Sequence, residues 1–364
     1  MNELARRLGI EAPLFAFSHC RDVVREVSRA GGLGVLGVNM LTPEGLRTEL
    51  AALEQELGGR PYGVDLLYPG GDADPLGDGV ALPQAHQAFL VRLAEEAGVP
   101  AGWERAYADP DLTLVEVNTT PARSDQLLEV CLEFSPRLVV SALRPLPTEW
   151  VARLHRDGVL VGGMCGSAKH ARVHVQGGAD LVIAQGYEAG GHTGDIATMV
   201  LVPEVVDAVA PVPVLAAGGI ATGRQMAAAL ALGASGVWTG SVWLATRESD
   251  LEREVVDKLL EAGSGDTVKT RVFTGKPCRS LVDAFVQAWD RPEAPQPLPM
   301  PLQELLIRPM QARVHEAGLK PFMGTPVGQV VGLMSSRRPA AAVVADMLGE
   351  CSETLSRLAS ATED

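Results

Sequence analysis

The feature that most restricts the fold of this chain is a set of eight short apolar runs alternating with segments of helical spacing. The runs lie at 13–17, 33–36, 62–67, 138–142, 160–163, 181–184, 213–217 and 236–239. Runs this short and this apolar imply strands buried on both faces. Helical spacing is found at 21–30, 42–57, 124–133, 148–156, 168–176, 203–209 and 222–232. Thr42-Pro43-Glu44 places a capping threonine before a proline at the first helical position. Strands that alternate with helices form a parallel sheet, and eight such units in about 240 residues match an α/β fold of the (β/α)8 TIM-barrel type. The expected barrel spans 10–241.

A barrel of this kind carries its active site on the loops after the strand C-terminal ends. Six such loops here are glycine-rich or polar: Phe17-Ser18-His19-Cys20, the segment around Asp65, Cys165-Gly166-Ser167, the run 185–194, Gly218-Gly219, and Thr239-Gly240-Ser241. The most informative is Gln185-Gly186-Tyr187-Glu188-Ala189-Gly190-Gly191-His192-Thr193-Gly194. Glycines let the backbone approach a ligand closely. Imidazole is the side chain best suited to moving a proton near neutral pH. His192 is therefore expected to act as a base or to orient a substrate. His19 and Ser167 are candidates for the substrate side, and Glu188 is read first as a structural residue.

Gly218-Gly219 and Thr239-Gly240-Ser241 follow the seventh and eighth strands, where barrels of this type build phosphate sites from backbone N–H groups and a helix N-terminus. Gly32-Leu33-Gly34-Val35-Leu36-Gly37 spells a dinucleotide fingerprint in the wrong context, because it follows a helix and contains a strand. It reads as a tight helix-to-strand turn. His170 and His174 are four apart on a helix with no matching ligands, so they read as a solvated face and no metal site is expected.

A net charge of −14 argues against nucleic-acid partners. The five cysteines are odd in number and lack CxxC spacing, as expected of a reduced intracellular protein. No signal-peptide pattern opens the chain and no apolar run reaches about 18 residues, so a cytoplasmic location without a membrane span is expected. Residues 69–122 exceed an ordinary connection and read as an insertion over the site, helical from about 83 to 97. Residues 242–364 read as a mostly helical extension on the substrate side. Its proline-rich passage 291–301 should be extended and stiff. The apolar pieces 327–333 and 340–348 pack either on the barrel or on a second subunit of a homodimer.

The glycine–histidine run, together with Ala216-Ala217-Gly218-Gly219-Ile220 and Trp238-Thr239-Gly240-Ser241, resembles the nitronate monooxygenase family. Ala30-Gly31-Gly32-Leu33-Gly34, Asp266-Thr267-Val268 and Thr274-Gly275-Lys276-Pro277 resemble it as well. The likeness runs from about residue 10 to 290. It implies a non-covalent FMN contacted by Asp65, Gln185, Gly190, Gly191, Gly219 and Trp238 to Ser241. Gly218, Gly219, Gly240 and Ser241 would hold its phosphate, and Phe17-Ser18 would lie beside the ring. His192 matches the family's catalytic base.

The chain departs from the family pattern where Ala-Pro-Met is common after the first strand and Phe17-Ser18-His19 stands here. It departs again where Asn is common and Asp65 stands here. The implied activity is oxidation of alkyl nitronates with O2 to a carbonyl compound and nitrite. Two alternatives stay open: an NAD(P)H-dependent flavin reductase of quinones or enoyl thioesters, and a phosphate-ligand barrel without redox chemistry.

Overall fold

The computed structural model describes residues 3–69, 82–108 and 120–361, so the glycine- and aspartate-rich stretch 70–79 lies outside the described residues. Parallel strands β1 (Leu14–Ser18), β2 (Leu33–Gly37), β3 (Tyr62–Leu66), β4 (Leu138–Ser141), β5 (Leu160–Cys165) and β6 (Leu181–Gln185) follow one another around a closed barrel. β7 (Gly191–His192) stands outside it. β8 (Val214–Ala217) and β9 (Gly236–Thr239) complete the ring, with Phe15 of β1 opposite Trp238 of β9.

Alternation along each strand divides the core in two. Phe15, Val35, Val140, Ile183 and Leu215 fill the barrel interior. Leu14, Ala16, Val182 and Val214 face the surrounding helices. Burying each side chain of this size stabilises the fold by about 1.5–3 kcal/mol, so continuous burial explains why the strands contain almost no polar residues. The helix Pro43–Leu57 shows how local sequence sets an element. Thr42 Oγ1 accepts from Gly45 N–H at 3.0 Å, and Leu46, Leu50, Leu53 and Leu57 form the buried face. Gly58 ends the helix in the left-handed region at φ 57°.

Two expectations shift. The helix read at 203–209 begins five residues earlier, as Thr198–Val209, with Pro203 inside it. Glu188, ten residues earlier, caps this start: its Oε2 accepts from Thr198 N–H at 3.0 Å and from Thr198 Oγ1 at 2.8 Å. A proline at 203 is a poorer marker than that carboxylate. His174 is 3% exposed and no part of a solvated face. It packs under β5 where Gly163 has no side chain; a Cβ there would lie 2.1 Å from His174 Nδ1. The fingerprint-like stretch 32–37 is β2 packed against the helix Arg21–Arg29, with Gly34 so close that a Cβ would lie 2.2 Å from the Val24 carbonyl oxygen.

The later part of the chain holds strands the periodicity did not announce. β10 (Thr267–Thr270) and β11 (Cys278–Leu281) form an antiparallel hairpin, and β11 also pairs with β7. Phe89, Leu93 and Trp103 of the insertion share one core with Val255, Phe285, Trp289, Met310 and Val314. The proline-rich passage opens and closes in turns, has no regular secondary structure over 294–299, and lies against Gly275, where a Cβ would meet the Leu298 carbonyl at 2.3 Å. The apolar pieces pack on the chain's own body: Val327 and Val331 enter the core just described, and Ala340, Val343, Val344 and Met347 join Val23, Val27 and Met226. Among the described residues no helix is long and apolar enough to cross a membrane.

Candidate active site

A cavity of about 500 Å3 opens at the C-terminal ends of the barrel strands. The structure brings Phe17, Ser18, His19, Asp65, Gln185, Gly190, Gly191, His192, Gly218, Gly219, Trp238, Thr239, Gly240 and Ser241 to its wall. Ser167 stands apart. Its hydroxyl is spent as a helix cap, accepting from His170 N–H at 3.3 Å, so its expected place on the substrate side is corrected.

One wall is the glycine–histidine loop. Short strand β7 holds it by pairing Gly191 with Arg279 and His192 with Cys278. Arg279, 2% exposed, donates from Nε to the Tyr187 carbonyl at 3.1 Å and stacks over the Tyr187 ring at 4.4 Å. His192 Nε2 lies 2.8 Å from Thr274 Oγ1. Burial, then the Lys276 charge, lower the His192 pKa from its ordinary 6.5, while Glu304 opposes them. The imidazole is thus a neutral base at neutral pH.

A second wall comes from β8 and β9. Gly218 and Gly219 have φ of 91° and 72°, a conformation that only glycine adopts without strain. Consecutive residues of this kind turn backbone N–H groups into an anion-binding hollow. The following helix, Gly223–Ala231, does not offer its N-terminus. Gln225 Oε1 accepts from Ala221 and Thr222 N–H at 2.8 and 3.0 Å, and Glu350 Oε2 accepts from Gly223 N–H at 2.7 Å. The expected helix-terminus contribution is therefore missing, and the glycine turn, Gly240 and Ser241 remain on this wall. Ser241 Oγ accepts from Gly328 N–H at 2.8 Å, which ties this wall to the later chain.

The third wall is aromatic and polar. Phe17 and Trp238 stack at 6.1 Å, and His19 meets Phe17 edge-on at 5.1 Å. His19 Nδ1 donates to the Gly37 carbonyl at 2.9 Å, which leaves Nε2 as the acceptor of the neutral ring. Asp65 is 2% exposed and its Oδ2 has no partner among the described residues. Burial raises its pKa well above the carboxylate range.

Sequence reasoning missed Thr274, Arg279, Glu304, Arg308 and Gly328. Glu304 and Arg308 line the cavity from the helix Leu302–Glu316, paired at 2.6 Å. Their i,i+4 spacing was the only local signal, and it is common on any helix surface.

Barrel, strand-end cavity, glycine hollow and buried imidazole are the parts from which barrel enzymes build a site at the strand C-termini. Residues 9–350 match the nitronate monooxygenase family. The chain belongs to that family, whose members are oxidoreductases. It is 47% identical over 368 residues to a Mycobacterium tuberculosis protein named "Putative monooxygenase Rv1533", covering 98% of this chain and 97% of that one. Among solved structures, nitroalkane oxidase from Streptomyces ansochromogenes is similar at TM-score 0.82 and 30% identity, over 97% of this chain and 99% of that one. FabK from Thermotoga maritima is similar at TM-score 0.72 and 29% identity, over 99% of both chains.

Proposed function

We propose that the protein is an FMN-dependent nitronate monooxygenase, converting an alkyl nitronate and O2 to a carbonyl compound and nitrite. The carrying observation is His192: an imidazole held neutral by burial, anchored at Nε2 by Thr274, and set in the wall of a strand-end cavity. Three features of the cavity suit FMN. The Gly218-Gly219 hollow suits a phosphate, the apolar Phe17–Trp238 pair suits a flat ring, and the unpartnered Asp65 carboxyl suits a polar ring edge.

FMN, when bound, supplies the electron transfer between substrate and O2. The chain's own residues bind, orient and move the proton. His192 Nδ1, the nitrogen not engaged with Thr274, would take the proton when a neutral nitroalkane rather than its nitronate is presented. The Glu304–Arg308 pair and the aromatic wall would orient the small anion and exclude water. Nitrite release from propionate 3-nitronate by the FMN-loaded protein tests this reading; absence of nitrite, with flavin bound and O2 present, would overturn it.

The likeness to FabK over the whole chain favours one second reading, a reductase of an enoyl thioester or quinone. Rapid anaerobic bleaching of the bound flavin by NADH or NADPH would select it. Family membership sets aside a barrel without redox chemistry.

A further inference from the structure

Asp65 is the only carboxylic acid in the eight barrel strands. It lies on β3, opposite Gly37 of β2 and Val140 of β4 in the strand register. Its carboxyl makes no hydrogen bond to a described residue, Oδ2 is fully sealed from solvent, and the side chain borders the cavity. A sealed carboxylate with neither cation nor donor would cost several kcal/mol, far more than any contact it makes could return.

We propose that Asp65 works as a neutral carboxylic acid, donating its O–H to a hydrogen-bond acceptor on the ring edge of the bound cofactor. The proposal rests on the flavin reading above. Burial raises its pKa, and among the described residues no neighbouring charge contributes.

The surroundings agree. Gly37 and Val140, its partners on the flanking strands, carry no charge. The titratable groups on the cavity wall come from elsewhere: His19 and Cys20 after β1, Glu188 and His192 on the glycine loop, Cys278 on β11, and Asp250, Glu304 and Arg308 from the later chain. Glu188 is occupied by Thr198, and Arg308 is paired with Glu304. His19 turns its N–H to the Gly37 carbonyl. None of these supplies Asp65 with a counter-charge.

A neutral acid and a carboxylate predict opposite pH behaviour. A donor acid binds the acceptor edge with constant affinity until Asp65 ionises, after which affinity falls about tenfold per pH unit. A carboxylate accepting from a ring N–H would instead bind more tightly as pH rises.

The test is FMN titration by fluorescence quenching from about pH 6 to about pH 9. It uses wild type, Asp65→Asn and Asp65→Leu, with infrared spectra of the flavin-stripped proteins. The expected results are a protonated-acid carbonyl band in wild type at neutral pH that is missing in Asp65→Asn, and a wild-type affinity that stays level or falls toward the alkaline end. Asp65→Asn, which keeps a donor, should bind within about threefold of wild type, and Asp65→Leu about tenfold more weakly. A carboxylate band at neutral pH, or wild-type affinity rising with pH, overturns the proposal. If wild type takes up no FMN at any pH, the flavin reading falls and the donation with it, while the stripped-protein spectrum still decides whether Asp65 carries a proton.

Discussion

His192 and Thr274 are joined by a 2.8 Å hydrogen bond between Nε2 and Oγ1, across 82 positions of the chain. Thr274 lies in the loop between β10 and β11, and His192 on β7 pairs with β11 in a three-stranded sheet, β10–β11–β7, that stands outside the barrel. The imidazole is therefore positioned by the later part of the chain as much as by the strand it follows.

Replacing His192 by Ala should lower turnover of a neutral nitroalkane by about 10²–10⁴-fold, the usual size of a general-base contribution. The bound-flavin spectrum should stay unchanged. Thr274→Val should cost several-fold, as expected for one orienting hydrogen bond. Steady-state nitrite assays on both variants check this, and normal turnover in His192→Ala would remove the histidine from the mechanism.

The pH dependence follows from the burial of His192 and from two charges near it. Protonated His192 cannot accept a proton, so kcat/KM for a nitroalkane should fall as pH drops through the histidine's pKa, below 6.5. Lys276 holds that pKa down and Glu304 holds it up. Lys276→Met should move the acid limb to higher pH and Glu304→Gln to lower pH. Shifts in the same direction would exclude His192 as the titrating group.

The eight barrel strands and most of the helices around them were legible because two-sided burial writes itself as short apolar runs, and because caps such as Thr42-Pro43 are local. The residues gathered at the cavity from β1, β3, β6, β8 and β9 were legible for a related reason: each ends a strand. What stayed hidden depends on partners outside the element itself. β7 is two residues long and has no period of its own; it exists because β11 pairs with it. Thr198 starts a helix because Glu188 caps it, and His174 is buried because Gly163 leaves room. Ser167 was misread because a capping serine and a ligand-binding serine look alike in sequence.

Glycine substitutions should separate strain from blockage. Gly219 has φ 72° but open space around a would-be Cβ, with Glu188 Cβ nearest at 3.7 Å. Gly219→Ala should fold with a loss of about 1–2 kcal/mol and bind FMN more weakly. Gly328→Ala would place Cβ 2.6 Å from the Glu188 carbonyl, and should break the Gly328 N–H bond to Ser241. Thermal unfolding with and without FMN distinguishes the two.

Glu350 should matter for stability alone. Its carboxylate caps the helix Gly223–Ala231 from the last helix, Ala340–Ala361. Glu350→Ala should cost about 1 kcal/mol in denaturant unfolding and leave FMN affinity unchanged. A large loss of affinity would mean that this helix terminus serves the ligand after all.

Asp283 gives a pH-dependent stability. It is buried, with Oδ1 capping a helix at Val286 N–H and Oδ2 unpartnered among the described residues. Burial pushes its pKa up from 3.8 to about 6. Between those values the folded state keeps a proton that the unfolded state has lost. Stability should therefore fall as pH rises through that window, by on the order of 3 kcal/mol. Asp283→Asn should flatten this part of the stability profile, measured by urea unfolding at a series of pH values.

The segment 325–330 has a consequence for how the enzyme comes into being. It lines the cavity with Thr325, Pro326, Gly328 and Val330, and it is fastened to Glu188 and Ser241 by backbone N–H groups. On the ribosome the barrel strands emerge first, with their strand ends bare. The wall that closes the pocket follows Ser241 by 87 residues. A half-made chain thus lacks one wall of the cavity, and the pocket is complete only when the last part of the chain has been made.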